Sequence, residues 1–162
     1  MPITTKTGDD GKTGTLSGKR VSKCSSEIEL FGAIDGLVAM LGYAAGELGN
    51  DELLAIQTDM EKIFRNVAKL DDIDSSYVKN IEEKIAQKEK AAKSIKGFVR
   101  PMGKSALVHL CREYARNAER KAVCAYEKKG MANITVYLNR LSDYIFLIAC
   151  EEAAKRKELS LF

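Results

Sequence analysis

The chain has 162 residues, 45% of them hydrophobic and 30% charged, with a formal net charge of +3. That length suits a single domain with a real hydrophobic core. The small charge, spread along the chain without interleaved aromatics, excludes a nucleic-acid surface. The N-terminus lacks a signal peptide's apolar stretch, and no segment approaches about 18 uninterrupted apolar residues. A protein that is neither exported nor membrane-bound is expected. Cys24, Cys111, Cys124 and Cys150 form no C-x-x-C pair, and three of them fall on apolar helical faces, which predicts a reduced, cytoplasmic protein.

Residues 4–23, TTKTGDDGKTGTLSGKRVSK, form a polar lead-in with glycines at 8, 11, 14 and 18. Such a run is either a disordered tail or a loop whose backbone N–H groups turn toward an anion. Behind it the period is helical. Ser26-x-x-Glu29 reads as a capping box opening a first helix over 26–48, with Phe31, Ile34, Val38, Leu41, Ala45 and Leu48 on its stripe and a stop at Gly49. Asn50 caps a second helix to about Leu70. The run DDIDSS favours turns and caps. A third helix over 75–95 has only Val78, Ile81 and Ile85 as its stripe, so it lies on the outside. The join GFVRPMG precedes a fourth helix over 105–129, ended by Gly130, and a fifth covers 132–157. No convincing strand is predicted. Five helices with short joins imply an all-α antiparallel bundle occupying 1–162 as one domain.

Several constellations bear on chemistry. The single histidine, His109, and the absence of Glu-x-x-His exclude a di-iron bundle. Gly97 and Gly103 have five residues between them, one too many for a P-loop, and no strand precedes them. The helix start at Gly103-Lys104-Ser105 still presents free N–H groups to an anion. Arg112, Arg116 and Arg120 recur every fourth residue along one face. Like charges about 6 Å apart repel. They are either neutralised by Glu113 and Glu119 or clamp a polyphosphate, for which guanidinium is suited. Asn139, Ser142 and Asp143 place polar groups within an apolar helix and need partners. Asp35 adjoins the first helix's apolar stripe and would pair with a base or face solvent.

These segments together resemble the PduO-type ATP:cob(I)alamin adenosyltransferases. The resemblance rests on TKTGDDGKTGTLSGKRVSK, FGAIDGLVAMLG, and CREYARNAERKAV followed by YLNRLSDYIFLIA, in that order and over nearly the whole chain. It implies a trimeric five-helix bundle that moves the 5′-deoxyadenosyl group of ATP to the cobalt of cob(I)alamin, forming adenosylcobalamin and triphosphate. Mg²⁺ and a cobalamin reductase are the implied cofactor and partner. By resemblance, residues 1–24 form the ATP loop, with Thr5, Lys6, Thr7, Gly8, Thr13, Gly14 and Lys23 as contacts. Arg116 and Arg120 act as cations, with Asn117, Glu119 and Asn139 beside the nucleotide. Asp35 pairs with Arg116 across a subunit interface.

Three departures from the family pattern stand out. Asn117 replaces a second consecutive arginine, Gly36 and Val38 replace a Glu and an Asn, and the join before the fourth helix is about two residues short. Phe98, Val99 and Met102 in that join are the candidates for the corrinoid side. The alternative function is a non-catalytic, ATP-binding regulatory bundle.

Overall fold

The computed structural model describes residues 3–16, 18–91, 99–130 and 132–157. Phe98 and the end expected for the third helix, 92–95, lie outside them. Five helices make up the body: α1 (Ser26–Leu48), α2 (Asp51–Val67), α3 (Ser75–Ala91), α4 (Ala106–Tyr126) and α5 (Asn133–Lys155). Short 3₁₀ turns at Gly103–Ser105 and Glu127–Lys129 flank α4. The polar lead-in, where no strand was expected, forms an antiparallel hairpin of β1 (Lys12–Gly14) and β2 (Arg20–Ser22).

The caps show why the helices begin and end where they do. Gly49 closes α1 in the left-handed conformation at φ 61°. The Asn50 side chain accepts the Leu53 N–H at 3.1 Å and opens α2. The capping box is corrected: Ser25, not Ser26, is the N-cap of α1, and its hydroxyl is buried with no hydrogen-bond partner. In DDIDSS, Asp74 accepts the Ser76 N–H at 2.8 Å at the start of α3. Asp72 instead accepts the N–H groups of Asn133 and Ile134 at 2.8 and 3.0 Å, so it caps α5 from sixty residues away.

Leu30, Ile34, Leu37 and Leu41 of α1 are fully buried, as are Leu138, Leu141 and Ile145 of α5. Between them α4 contributes small residues, Ala115, Ala118 and Ala122, also fully buried. Small side chains let α1 and α5 approach α4 from both sides. The packing order is α2–α1–α4–α5–α3, and the ring is left open by a seam between α2 and α3. Helix α1 is the one helix long and apolar enough to cross a membrane among the described residues. Its apolar face is the centre of this core, flanked by α2 and α4. Cys111 and Cys150 are buried as free thiols, but Cys124, expected on an apolar face, is exposed.

Two stability predictions arise from this packing. A methyl group on Gly46 would meet nothing within 4 Å, whereas one on Gly42 would run into the Gln57 amide, which donates to the Val38 carbonyl at 3.2 Å. Gly46→Ala therefore stabilises the bundle by about 0.5–1 kcal/mol through helix propensity. Gly42→Ala falls about 1 kcal/mol below it because the Gln57 hydrogen bond is lost. Urea unfolding of the two variants measures the difference.

The second concerns Glu152, 4% exposed on α5. It accepts from Asn50 at 3.1 Å, Lys155 at 3.0 Å and Arg156 at 3.3 Å. Burial pushes its pKa up, but the hydrogen bonds and charges of Lys155, Asn50 and Arg156 outweigh burial and hold it below the ordinary value of 4.5. A depressed carboxylate stabilises the fold above the unfolded pKa, and that contribution is lost as pH falls through the folded one. Stability should therefore decline below about pH 4.5. Glu152→Gln should flatten that decline and cost about 1–3 kcal/mol at pH 7.

Candidate functional site

The N-terminal segment is ordered by its own hydrogen bonds. The Arg20 guanidinium donates to both Asp10 carboxylate oxygens at 2.9 and 3.0 Å and to the Thr7 carbonyl at 2.8 Å. Asp10 also accepts the Lys12 N–H at 3.1 Å, and that bond, with Arg20, holds its carboxyl below the usual range. Lys6 takes a left-handed φ of 58°, a strained setting for a side chain with a Cβ. The Thr5 and Thr7 hydroxyls lie 2.9 Å apart beside it. The Lys23 N–H donates to the Gly11 carbonyl at 3.0 Å, bringing the chain back past Gly8. There the Lys23 ammonium lies 3.0 Å from where a Gly8 Cβ would stand. Gly8 thus gives the Lys23 side chain room to lie against the backbone, while Thr13 and Gly14 sit in β1 opposite Val21 and Arg20. Asp10 and Arg20 organise this loop and were not singled out from the sequence. The signal was an Asp-Asp-Gly turn followed ten residues later by an arginine.

On α4 the arginine row resolves residue by residue. Arg120 pairs with Glu113 at 3.0 Å, both side chains more than half exposed. Glu119, which one of the two readings paired with an arginine, accepts from the Asn139 amide at 2.8 Å and ties α4 to α5. Asn139 in turn accepts from Arg140 at 2.9 Å, and its carbonyl accepts the Ser142 hydroxyl. The polar patch on α5 is thereby satisfied, with Asp143 exposed. Arg116, half-buried, has no ion pair or hydrogen bond among the described residues, and neither do Asn117 and the exposed Asp35. Within one chain, no hydrogen bond or ion pair joins Asp35 to Arg116, or the hairpin to the arginine row, among the described residues.

Next to Asp35, Gly36 has a packing reason. A Cβ there would stand 3.1 Å from the Tyr114 ring, so the glycine lets that ring lie against α1.

Arg112 belongs to a different environment. Its guanidinium lies 5.5 Å from the Phe146 ring centroid, and its Nε is buried without a partner. His109 meets the same ring edge-on at 6.2 Å, with its Nε2 also buried and unpartnered. Burial, and then the Arg112 charge, lower the His109 pKa below 6.5, so the imidazole is neutral at pH 7. Val99, Cys150 and Ala153 complete an apolar cluster around Phe146, with Met102 exposed nearby in sequence. Two orphaned buried nitrogens beside an aromatic ring are a site signal. Neither His109 nor Phe146 was singled out as a site residue from the sequence.

No group of three or more His, Cys, Asp or Glu side chains that could hold a metal occurs among the described residues.

The cobalamin adenosyltransferase family model matches residues 3–152. The corrinoid adenosyltransferase of Bacillus subtilis is 33% identical over 92% of this chain and 85% of its own length. The human corrinoid adenosyltransferase is 30% identical over 94% of this chain and 69% of its own. Among solved structures, a variant PduO-type ATP:corrinoid adenosyltransferase from Lactobacillus reuteri complexed with ATP superposes with a TM-score of 0.82 at 25% identity, covering 99% of both chains. Another variant of that enzyme, complexed with cobalamin and ATP, has a TM-score of 0.83 at 23% identity, covering 99% of this chain and 96% of the other. With the motifs, the bundle and these matches in agreement over nearly its whole length, the chain belongs to the cobalamin adenosyltransferase family.

Proposed function

We propose how this chain carries out ATP:corrinoid adenosylation. The reaction forms a Co–C5′ bond using the electron pair of the reduced corrinoid substrate and breaks the C5′–O bond of ATP, releasing triphosphate. The nucleophile belongs to the substrate, so the protein's task is alignment and charge stabilisation. Thr5, Lys6, Thr7, Gly8, Thr13, Gly14 and Lys23 take the phosphates, with backbone N–H groups and the Lys23 ammonium as donors. Arg116 and Arg120 face the charge that grows on the leaving triphosphate, and Asn117, Glu119 and Asn139 hold the nucleotide against α4 and α5. Mg²⁺ would accompany ATP and would offset charge on the phosphates.

The observation that carries this reading is the state of Arg116. Glu113 is committed to Arg120 and Glu119 to Asn139, which leaves the Arg116 guanidinium for an anion from outside the chain. Asp35 of a neighbouring subunit and the triphosphate are the proposed anions. A site shared between subunits also explains why the hairpin packs on no helix of its own chain to any extent. Exposed Tyr43, Leu110, Tyr114 and Val123 support burial in a homotrimer. The corrinoid is proposed to lie against Val99, Met102 and Phe146, where the apolar wall excludes water, and His109 and Arg112 offer donors to its polar edge. The free buried thiols Cys111 and Cys150 support a reducing compartment, the cytoplasm, with a reductase supplying the corrinoid's electron.

The deciding experiment is an anaerobic assay with ATP, Mg²⁺ and cob(I)alamin, followed by the absorbance change on Co–C bond formation. Turnover is expected. ATP binding without turnover would favour a non-catalytic regulatory bundle.

A further inference from the structure

A separate cleft is lined by none of these residues. It occupies about 610 Å³ in the seam between α2 and α3, with α5 as its floor. That volume falls in the range of small-molecule sites. Asp59 comes from α2, Tyr77 and Asn80 from α3, and Tyr137 and Tyr144 from α5. The cleft continues past Tyr144 into a second depression lined by Glu52, Lys88 and Glu151.

We propose that this cleft binds a small organic ammonium ion, its head held between the Asp59 carboxylate and the Tyr77–Tyr137 ring pair. The chain itself displays the chemistry at the other end of the groove. There the Lys88 ammonium sits 5.7 Å from the Tyr144 ring centroid, paired with Glu52 at 3.0 Å and Glu151 at 2.7 Å. Tyr144 also donates to Glu52 at 2.7 Å. One cation, carboxylates and a tyrosine ring thus close the seam.

Seven residues earlier on α5, about two helical turns away, the same materials recur. Tyr137 and Tyr77 meet edge-on at 6.1 Å, with Asp59 close enough to push the Tyr137 pKa up, after burial. Lys84 also lines the cleft, but no cation–ring contact to Tyr77 or Tyr137 and no Lys84–Asp59 ion pair occurs among the described residues. Asp59 has only an exposed neighbour, Lys62, at 3.4 Å on its own helix, a weak surface pair. Tyr137 is 4% exposed, yet its hydroxyl has no hydrogen-bond partner among the described residues. That hydroxyl opens into the cleft and is available to a ligand there.

Charge selects the sign of the ligand. Along the whole groove Glu52, Asp59, Glu83 and Glu151 face Lys84 and Lys88, and Lys88 is already doubly paired. An anion would meet net negative charge, whereas a cation gains both the carboxylate and the ring faces.

Titration with n-butylammonium chloride at constant ionic strength, followed by amide NMR shifts of the full-length protein, tests the proposal. Shifts are expected at residues 59, 77, 80 and 137 with a Kd of about 1 mM. Neutral n-butanol should bind at least tenfold more weakly. Asp59→Asn should raise Kd about tenfold, and Tyr137→Phe about threefold, with unchanged spectra elsewhere. The proposal is overturned if no shifts localise to the cleft up to 20-fold above that concentration, or if Asp59→Asn binds as wild type does. Because the readout is binding in the α2–α3 seam, it is independent of adenosyl transfer.

Discussion

Arg116→Ala should lower kcat for adenosyl transfer by about 10²–10³-fold, the usual loss when a preorganised charge on a developing anion is removed. Arg116 has no ion-pair or side-chain hydrogen-bond partner among the described residues of its own chain, which leaves its guanidinium available for the proposed contact with the triphosphate. Far-ultraviolet circular dichroism should be unchanged, since no hydrogen bond or ion pair within the described chain is lost. Asp35→Ala should cost a comparable factor, and the double variant little more than either alone, because two members of one pair act as a unit.

A subunit-mixing experiment separates the proposed geometry from a within-chain effect. If Asp35 of one subunit serves Arg116 of the next, co-refolding equal amounts of the two inactive variants rebuilds the wild-type pair at about a quarter of the interfaces. Activity should recover to about that fraction. No recovery would place both residues outside a shared interface. Wild-type turnover in either single variant would remove it from the mechanism.

Deletion of residues 1–23 is the second large effect. ATP affinity should fall at least 100-fold by calorimetry, while Tm shifts by only a few degrees. The bundle tolerates the loss because the hydrogen bonds shaping the hairpin, such as Arg20 to Asp10 and Lys23 to Gly11, are internal to it. The affinity does not tolerate it because Lys6, Lys23 and the turn N–H groups go together. Arg20→Ala should reproduce part of the effect, about tenfold, by releasing Asp10 and the Thr7 carbonyl from one guanidinium. Unchanged ATP binding in the truncated protein would eliminate the loop from the nucleotide site.

Helix boundaries were legible because caps are local. Gly49 and Asn50 mark the α1–α2 joint through backbone conformation and a three-residue hydrogen bond, and both can be read from neighbours in the sequence. The same holds for the apolar stripes of α1, α2 and α5, whose period follows from 3.6 residues per turn. The hairpin was not legible: Val21 is the only clearly apolar residue in its two three-residue strands, and its register depends on Arg20 reaching back to Asp10 and Thr7. At the candidate site, Arg116, Arg120 and Asn139 were visible as residues of the right type at helical spacing. Which glutamate takes which partner was not, since Glu113 and Glu119 lie equally near the arginines along the chain.

What the sequence by itself determined is the set of helices, the joint between α1 and α2 and the family motifs they carry, because propensity, capping and periodicity act within a few residues. Tertiary structure decided what depends on elements far apart in the chain. Asp72 caps a helix sixty residues on. Asn139 draws Glu119 away from the arginines, and Arg116 is left unpaired among the described residues of its chain. His109 and Arg112 are stranded beside Phe146. The open seam between α2 and α3 follows from the packing order of all five helices, which no local pattern records.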